Sequence, residues 1–368
     1  MRVAICGGGT GGHLHPLLAL DGELASREGV EVTLFLSSKS PTGKLLAGRK
    51  VVELELRGFS RSFEFGNLRS LALLISAFRR CRAEMKELRP DVAVSFGGYA
   101  SVPGSLAAVS MGIPLVIHEQ NAIPGLANRV LAPLARKVAV SFRPTLEGSR
   151  RWRRKAVLTG NPLLPRSQEG GHDEDPWSFF GLERGRRTVA VIGGSQGAAS
   201  LNRAVLESLP AWRESGDLQV VHAVGADKFD QFSSMLEEGE TGTFVYRPFA
   251  YIERMDLLYA VADLVVCRAG ASTIAELAAA GCPSILVPYP YATAGHQDAN
   301  ARVLVSLGAA VLVPDRELNG ERLRAEVRAL TEDRARLERM SEAARRAAAP
   351  DAAARLADLV MEVAGRAV

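Results

Sequence analysis

The chain has 368 residues, 47% of them hydrophobic, and a formal net charge of +4. That length suits two domains, each large enough for a proper core. So mild a basic excess fits an anionic substrate or an anionic membrane surface and excludes the strongly basic footprint of a nucleic-acid binder. The four cysteines, Cys6, Cys81, Cys267 and Cys282, form no C-x-x-C pair and no metal-ligand spacing, and three of them sit inside apolar runs, which reads as buried free thiols of a reducing compartment. The first strand begins with no signal peptide ahead of it, and no apolar run reaches the ~18 residues of a membrane span. The expectation is a cytoplasmic chain, soluble or held at a membrane surface.

In chain order, the predicted strands of the first half are "RVAIC" (2–6), "VEVTLFL" (30–36), "VVELEL" (51–56), "DVAVSF" (91–96), "PLVIHE" (114–119) and "KVAVSF" (137–142). They are continuous apolar runs, as expected of parallel strands buried on both faces. Helices fit between them, for example over 14–27, 67–89 and 101–111, giving the βαβ rhythm of a doubly wound α/β fold. At "VLTGNPLLP" (157–165) the rhythm pauses, and the polar stretch "RSQEGGHDEDPW" (166–177) follows. It restarts at "TVAVIGGSQGAASLN" (188–202), with later strands in "LQVVHAVG", "TFVYRPF", "DLVVCRAG", "PSILVPYP" and "AAVLVPD". Two Rossmann-like domains are expected, 1–160 and 161–350. The Arg/Ala-rich segment 321–348 reads as a pair of solvated helices. After Pro350, 351–365 reads as a helix able to pack back onto the first domain.

"CGGGTGGHLHP" (6–16) places Gly7, Gly9 and Gly12 in a G-x-G-x-x-G pattern after a strand. A dinucleotide site also needs a carboxylate ending the second strand, and that strand ends "FLSSKS" (35–40), so a nicotinamide enzyme is not favoured. No G-K-[ST] follows, which excludes a P-loop. An anion site remains: glycines allow close backbone approach, and a helix N-terminus supplies free N–H groups. "GGSQGA" (193–198) and "FGGYAS" (96–101) make two more such turns. Each taken singly is equally well a tight strand-to-helix turn. His13, at the start of the first helix, fits two readings, a structural histidine or a general base kept neutral by the helix dipole. His15 reads as packing.

The segment "VVCRAGASTIAELAAAGCPSILVPYP" (265–290) runs a buried strand into Arg268, then opens a helix at Ala271-Ser272-Thr273 with Glu276 expected in its first turn. Ser272 and Thr273 offer hydroxyls and N–H groups for a diphosphate. Glu276 suits a ribose diol, or is an ordinary glutamate favoured by the helix dipole. "AGHQDANAR" (294–302) adds His296, Gln297 and Asn300 at another helix start.

Taken in order, "GGGTGGHLHP", "SFGGYAS", "IHEQNAIPGLAN", "TGNP", "GGSQGA", "CRAGASTIAEL" and "GHQDANA" resemble, across nearly the full length, the MurG family of bacterial N-acetylglucosaminyltransferases in peptidoglycan precursor synthesis. The resemblance implies a GT-B fold, two Rossmann-like domains facing a central cleft. It implies inverting transfer of GlcNAc from UDP-GlcNAc to the 4-hydroxyl of the muramyl sugar of undecaprenyl-linked lipid I, giving lipid II and UDP. Ser195, the backbone at Ile252, Ala271, Ser272, Thr273 and Glu276 would then hold UDP, with Arg268 a further substrate-binding residue. Gln297, Asn300 and Asn121 would contact GlcNAc, and Thr10, Gly11, Gly12, His13 and Tyr99 would line the acceptor side, with His13 the candidate general base. In place of the family's "GNPVR" this chain has "GNPLL", so Leu164 stands where an arginine would help bind the nucleotide, with Arg166 two residues on.

Such a transfer needs a base and charge stabilisation at the departing diphosphate, which glycine loops and helix ends supply without a metal or cofactor. The D-x-D of a metal-dependent transferase occurs once, "DED" at 173–175, in the polar linker, and is discounted. A lipid-linked acceptor calls for bilayer contact at the cytoplasmic face of the cell membrane. The helix 67–85 has a wide apolar face (Leu68, Leu71, Leu73, Leu74, Ile75, Phe78) among Arg69, Arg79, Arg80 and Arg82, in the manner of an interfacial helix or of a core helix with a basic end. The alternatives to lipid I transfer are another GT-B UDP-sugar enzyme, such as a glycolipid glycosyltransferase or a UDP-GlcNAc 2-epimerase, and a non-catalytic UDP-GlcNAc-binding subunit.

Overall fold

The computed structural model describes residues 1–9, 11–38, 44–57, 66–148, 152–164, 174–194, 196–214, 217–236 and 244–365. The chain forms two compact units, Met1–Leu164 with Ala349–Val368, and Pro165–Ala348.

The first unit carries strands β1 (Arg2–Gly7), β2 (Glu31–Ser37), β3 (Val51–Leu54), β4 (Val92–Ser95), β5 (Leu115–Glu119), β6 (Lys137–Val140) and β7 (Ala156–Leu158). All pair in parallel in the order β3-β2-β1-β4-β5-β6-β7. Helices α1 (Gly11–Ala25), α2 (Gly66–Leu88), α3 (Gly98–Ser110), α4 (Leu126–Leu131) and α5 (Arg143–Gly148) connect them. Side chains alternate across β1, so Ala4 and Cys6 enter one core with Phe35 and Ile117, while Val3 and Ile5 enter the other with Leu14 and Leu17. The C-terminal helix, Ala352–Gly365, belongs to this second core through Leu356, Val360 and Val363. A fully buried leucine contributes about 1.5–3 kcal/mol, so these contacts hold the returning chain firmly. β7 was not expected. It is a three-residue edge strand, too short to stand out as an apolar run.

The second unit repeats the plan with strands β8 (Arg187–Ile192), β9 (Leu218–Ala223), β10 (Val245–Phe249), β11 (Leu264–Cys267), β12 (Ser284–Leu286) and β13 (Ala310–Leu312), in the order β10-β9-β8-β11-β12-β13. Its helices are α6 (Pro176–Phe180), α7 (Ala199–Arg213), α8 (Phe229–Ser233), α9 (Met255–Val261), α10 (Ala271–Ala280), α11 (His296–Ser306), α12 (Gly320–Thr331) and α13 (Arg334–Ala347). The expectation of solvated helices over 321–348 is corrected. Leu323, Val327 and Leu330 of α12, and Leu337 and Met340 of α13, lie in the core with Val189 and Val191. Their spacing of three and four residues makes an apolar stripe that the abundance of arginine and alanine obscures.

Strand order reverses between β1 and β4 in the first sheet and between β8 and β11 in the second. In open parallel sheets the crevice beyond the carboxyl ends at such a point is where ligands bind. The four loops that leave these strands are "GGGTGG", "FGGYAS", "GGSQGA" and "RAGAST".

Candidate active site

In the first unit, β1 runs to Gly7, where a Cβ would meet Leu17 Cδ1 at 2.8 Å and Phe96 Cβ at 3.1 Å. Gly8 and Gly9 both have φ of 94°, and α1 starts directly at Gly11 and Gly12. Thr10 lies outside the described residues. His13, the third residue of α1, is half-buried with its ring against Gly98, whose Cβ would stand 3.4 Å from the ring's Cε1 and 3.5 Å from Nε2. Gly97 (φ 75°) likewise leaves room for Asn128, 2.8 Å from where its Cβ would be. The glycines of "FGGYAS" therefore serve the turn itself and also seat His13. Tyr99, on the first turn of α3, donates its hydroxyl to Ser70 O of α2 at 3.4 Å. His15 is half-buried, and burial lowers its pKa.

Glu119 at the end of β5 is 1% exposed, and a buried carboxylate is costly unless hydrogen-bonded. The loop that follows wraps around it. The Asn121 N–H (2.9 Å) and Nδ2 (3.2 Å) donate to Oε1, while Gly125 N–H (2.9 Å) and Asn128 Nδ2 (2.8 Å) donate to Oε2. His118, fully buried, donates from Nε2 to Gly160 O at 3.1 Å and accepts at Nδ1 from Gln120 Nε2 at 3.1 Å. Burial pushes its pKa down to about 4, outweighing the Gly160 hydrogen bond, and nearby His13 adds to the lowering. Sequence reasoning took only Asn121 from this segment. The signal it passed over was two ionisable residues inside an otherwise apolar strand.

In the second unit the "GGSQGA" loop is tightly packed at Gly193 and Gly197, while Gly194 faces open space. A Cβ on Gly197 (φ 66°) would overlap the Val224 carbonyl oxygen, and one on Gly193 would overlap the Ala198 amide. Ser195 lies outside the described residues. Val224 O also accepts from Asn202 Nδ2 of α7 (3.0 Å), Asn202 Oδ1 accepts from His222 Nε2 (3.2 Å), and His222 Nδ1 accepts from the Tyr246 hydroxyl (2.9 Å).

β11 leads into Arg268, and α10 opens at Ala271 behind an extended Gly270. Ser272 and Thr273 are the second and third residues of α10, so their N–H groups belong to the unpaired first turn. Ser272 Oγ is buried without a hydrogen-bond partner among the described residues. Glu276 is the sixth residue and falls in the second turn, not the first as expected. The dipole account of its placement is therefore set aside. Its Oε2 instead accepts from the Tyr259 hydroxyl of α9 at 2.9 Å. Burial raises the Glu276 pKa, and the Tyr259 hydrogen bond opposes the rise. Ile252 is buried in the turn after β10.

Gln297 Oε1 accepts from the N–H groups of Ala269 (3.2 Å) and Tyr289 (2.8 Å), joining the ends of β11 and β12. Asn300, fully buried, donates to Ala269 O at 3.2 Å. Arg268 donates to Asp315 Oδ1 (2.6 Å), Ser200 Oγ (2.8 Å), Val287 O (3.1 Å) and Pro288 O (3.2 Å), so its guanidinium ties the loop after β11 to α7 and to the end of β12. Leu164 is half-buried against the core of the first unit that holds the C-terminal helix, and Arg166 lies outside the described residues. Of "DED", Asp175 caps α6 by accepting from Ser178 N–H at 3.1 Å, and Glu174 pairs with Arg254 at 3.2 Å.

Residues 3–140 match the glycosyltransferase family 28 N-terminal domain and residues 188–356 the family 28 C-terminal domain. The UDP-N-acetylglucosamine–N-acetylmuramyl-(pentapeptide) pyrophosphoryl-undecaprenol N-acetylglucosamine transferase of Halothermothrix orenii is 36% identical, over 99% of each chain. The protein of the same name from Bacillus subtilis is also 36% identical over 99% of each chain. The crystal structure of MurG from Acinetobacter baumannii is similar at a TM-score of 0.75 and 30% identity, covering 98% of this chain and 99% of that one. Both halves of the chain and nearly its whole length are thus accounted for, and the chain belongs to glycosyltransferase family 28, within the MurG family.

Proposed function

We propose that the protein transfers GlcNAc from UDP-GlcNAc, with inversion, to the 4-hydroxyl of the muramyl sugar of lipid I, releasing UDP and forming lipid II for peptidoglycan synthesis. The observation that carries this is the full-length likeness to transferases of that name. The donor sits on the second unit, with the diphosphate at Ser195, Ala271, Ser272 and Thr273, the base at the Ile252 backbone and the ribose at Glu276. The free N–H groups opening α10 stabilise the diphosphate as it departs, because they point at the charge that develops there and need no reorganisation. Gln297 and Asn300 serve the sugar, and Arg268 acts from behind by fixing the turn that carries Ala271. The acceptor uses the loop from Thr10 to Gly12, His13 and Tyr99, and His13 takes the proton of the attacking hydroxyl.

The same reading places the protein peripherally at the cytoplasmic face of the cell membrane. No described helix is long and apolar enough to cross a membrane. On α2, Leu74 and Phe78 pack against the core, whereas Leu71 and Ile75 are exposed, near the exposed Arg69, Arg79 and Arg80. Leu126, Val130 and Leu134, one turn apart on and just after α4, are exposed as well, and α4 packs on α3 as α2 does. An apolar surface among arginines suits an anionic bilayer.

The test is UDP release from UDP-GlcNAc with and without a soluble lipid I analogue, for the wild type and His13→Ala. Acceptor-dependent release that collapses in the variant is expected. Release that survives the substitution would move the base elsewhere. UDP binding without release for this acceptor would overturn the proposed reaction.

A further inference from the structure

We propose that Tyr259 is a positioning residue of the donor site, whose hydroxyl orients the Glu276 carboxylate to accept the two ribose hydroxyls of a uridine nucleotide. The inference rests on the donor-site reading above and extends it to a residue on a different helix, 17 positions away in sequence.

Among the described residues Tyr259 is the hydrogen-bond partner of Glu276, donating to Oε2 at 2.9 Å, and no basic side chain pairs with that carboxylate. A half-buried carboxylate held by a single neutral donor is a weak way to fasten two helices. It is a suitable way to present acceptor capacity to a ligand, because an ionised carboxyl has about four lone-pair sites and the tyrosine uses one. The hydroxyl is dependably the donor, since burial and the neighbouring Glu276 hold the tyrosine pKa well above its ordinary value. Tyr259 is itself fixed at both ends. Its carbonyl accepts from Cys282 Sγ at 3.6 Å, just past the C-cap Gly281 of α10, and its hydroxyl reaches Glu276 on α10 itself. A phenol pinned in this way restricts rotation of the carboxylate and counters the effect of burial, which favours the protonated form of Glu276. Protonated, Glu276 could not accept from two hydroxyls equally.

Tyr259→Phe keeps the ring and removes the donor. Affinities for UDP and for 2′-deoxy-UDP are measured by calorimetry on the full chain, for wild type, Tyr259→Phe, Glu276→Gln and the double variant. The wild type is expected to favour UDP by about tenfold, and Tyr259→Phe to weaken UDP by about tenfold while leaving 2′-deoxy-UDP within about twofold, the scale of one hydrogen bond to a charged group. On the Glu276→Gln background Tyr259→Phe should add nothing. Loss of the hydroxyl raises the Glu276 pKa, so the fall of UDP affinity on acidification should begin at higher pH in Tyr259→Phe. Equal weakening of both nucleotides, or an effect additive with Glu276→Gln, would mark a purely structural tyrosine and overturn the proposal while leaving the donor site intact. A wild type that binds no UDP would overturn the donor-site reading itself, and the proposal with it. Should Tyr259→Phe not fold, the wild-type pH profile decides. UDP affinity must fall more steeply on acidification than 2′-deoxy-UDP affinity, which shares the diphosphate and keeps only the 3′-hydroxyl contact.

Discussion

Acidification should loosen the second unit through His222. Its ring is fully buried between Tyr246 and Asn202, and burial lowers its pKa to about 3 from an ordinary value of 6.5. The unfolded chain takes up a proton as the pH falls past about 6.5, whereas the folded ring refuses it until about pH 3. Stability is therefore complete above pH 6.5 and is lost progressively as the pH drops toward 3. At about pH 4.5, roughly two units below the unfolded pKa and still above the folded one, protonation favours the unfolded chain by roughly 2.5–3 kcal/mol. That is a large share of the about 5–15 kcal/mol that holds a domain together. The first structure to suffer should be the "GGSQGA" turn, because Asn202 joins His222 to the Val224 carbonyl against which Gly197 lies. The assay is a urea titration read by hydrogen exchange of β8 and β9 peptides at about pH 7 and 4.5, for the wild type and His222→Gln. The variant starts less stable at neutral pH, and its further loss on acidification should be smaller than that of the wild type by about 2.5 kcal/mol. Equal losses in the two proteins would refute the reasoning, since other titrating groups would then account for the whole pH dependence.

Gly197→Ala puts a methyl group into the Val224 carbonyl at a left-handed φ, and neither backbone can yield cheaply. A loss of at least ~2 kcal/mol in the second unit and weaker UDP binding are expected, checked by denaturation and calorimetry. Replacing Leu71 and Ile75 together by serine should lower binding to anionic vesicles in a flotation assay with an unchanged melting temperature, because both side chains are exposed. Unaltered flotation would remove α2 from the membrane surface.

The strand pattern is legible in the sequence because the central stretches of parallel strands buried on both faces are apolar without alternation, as "VAIC" and "LVVC" are. The glycine turns are legible for an equally local reason, since φ values such as those of Gly97 and Gly194 suit few other residues. The outline of a twofold α/β chain and the loops that could hold a ligand thus follow from sequence alone. Other features depend on partners distant along the chain. Arginine and alanine dominate 321–348, and only contact with β8 reveals that its leucines face inward. The apolar stripe of α2 is wider than one face, so packing decides that Leu74 is core and Leu71 exposed. Glu119 and His118 stand in a strand that reads as purely structural until the loop to Asn128 folds back and supplies the donors. Glu276 carries no local mark of its link to Tyr259, because α9 and α10 meet only when β11, between them in the chain, takes its place in the sheet. Local sequence specifies backbone conformation and the hydropathy of each face. Which polar group completes another's hydrogen bonds is a property of the folded chain, because the partner comes from another element whose position is set by the packing of the whole unit.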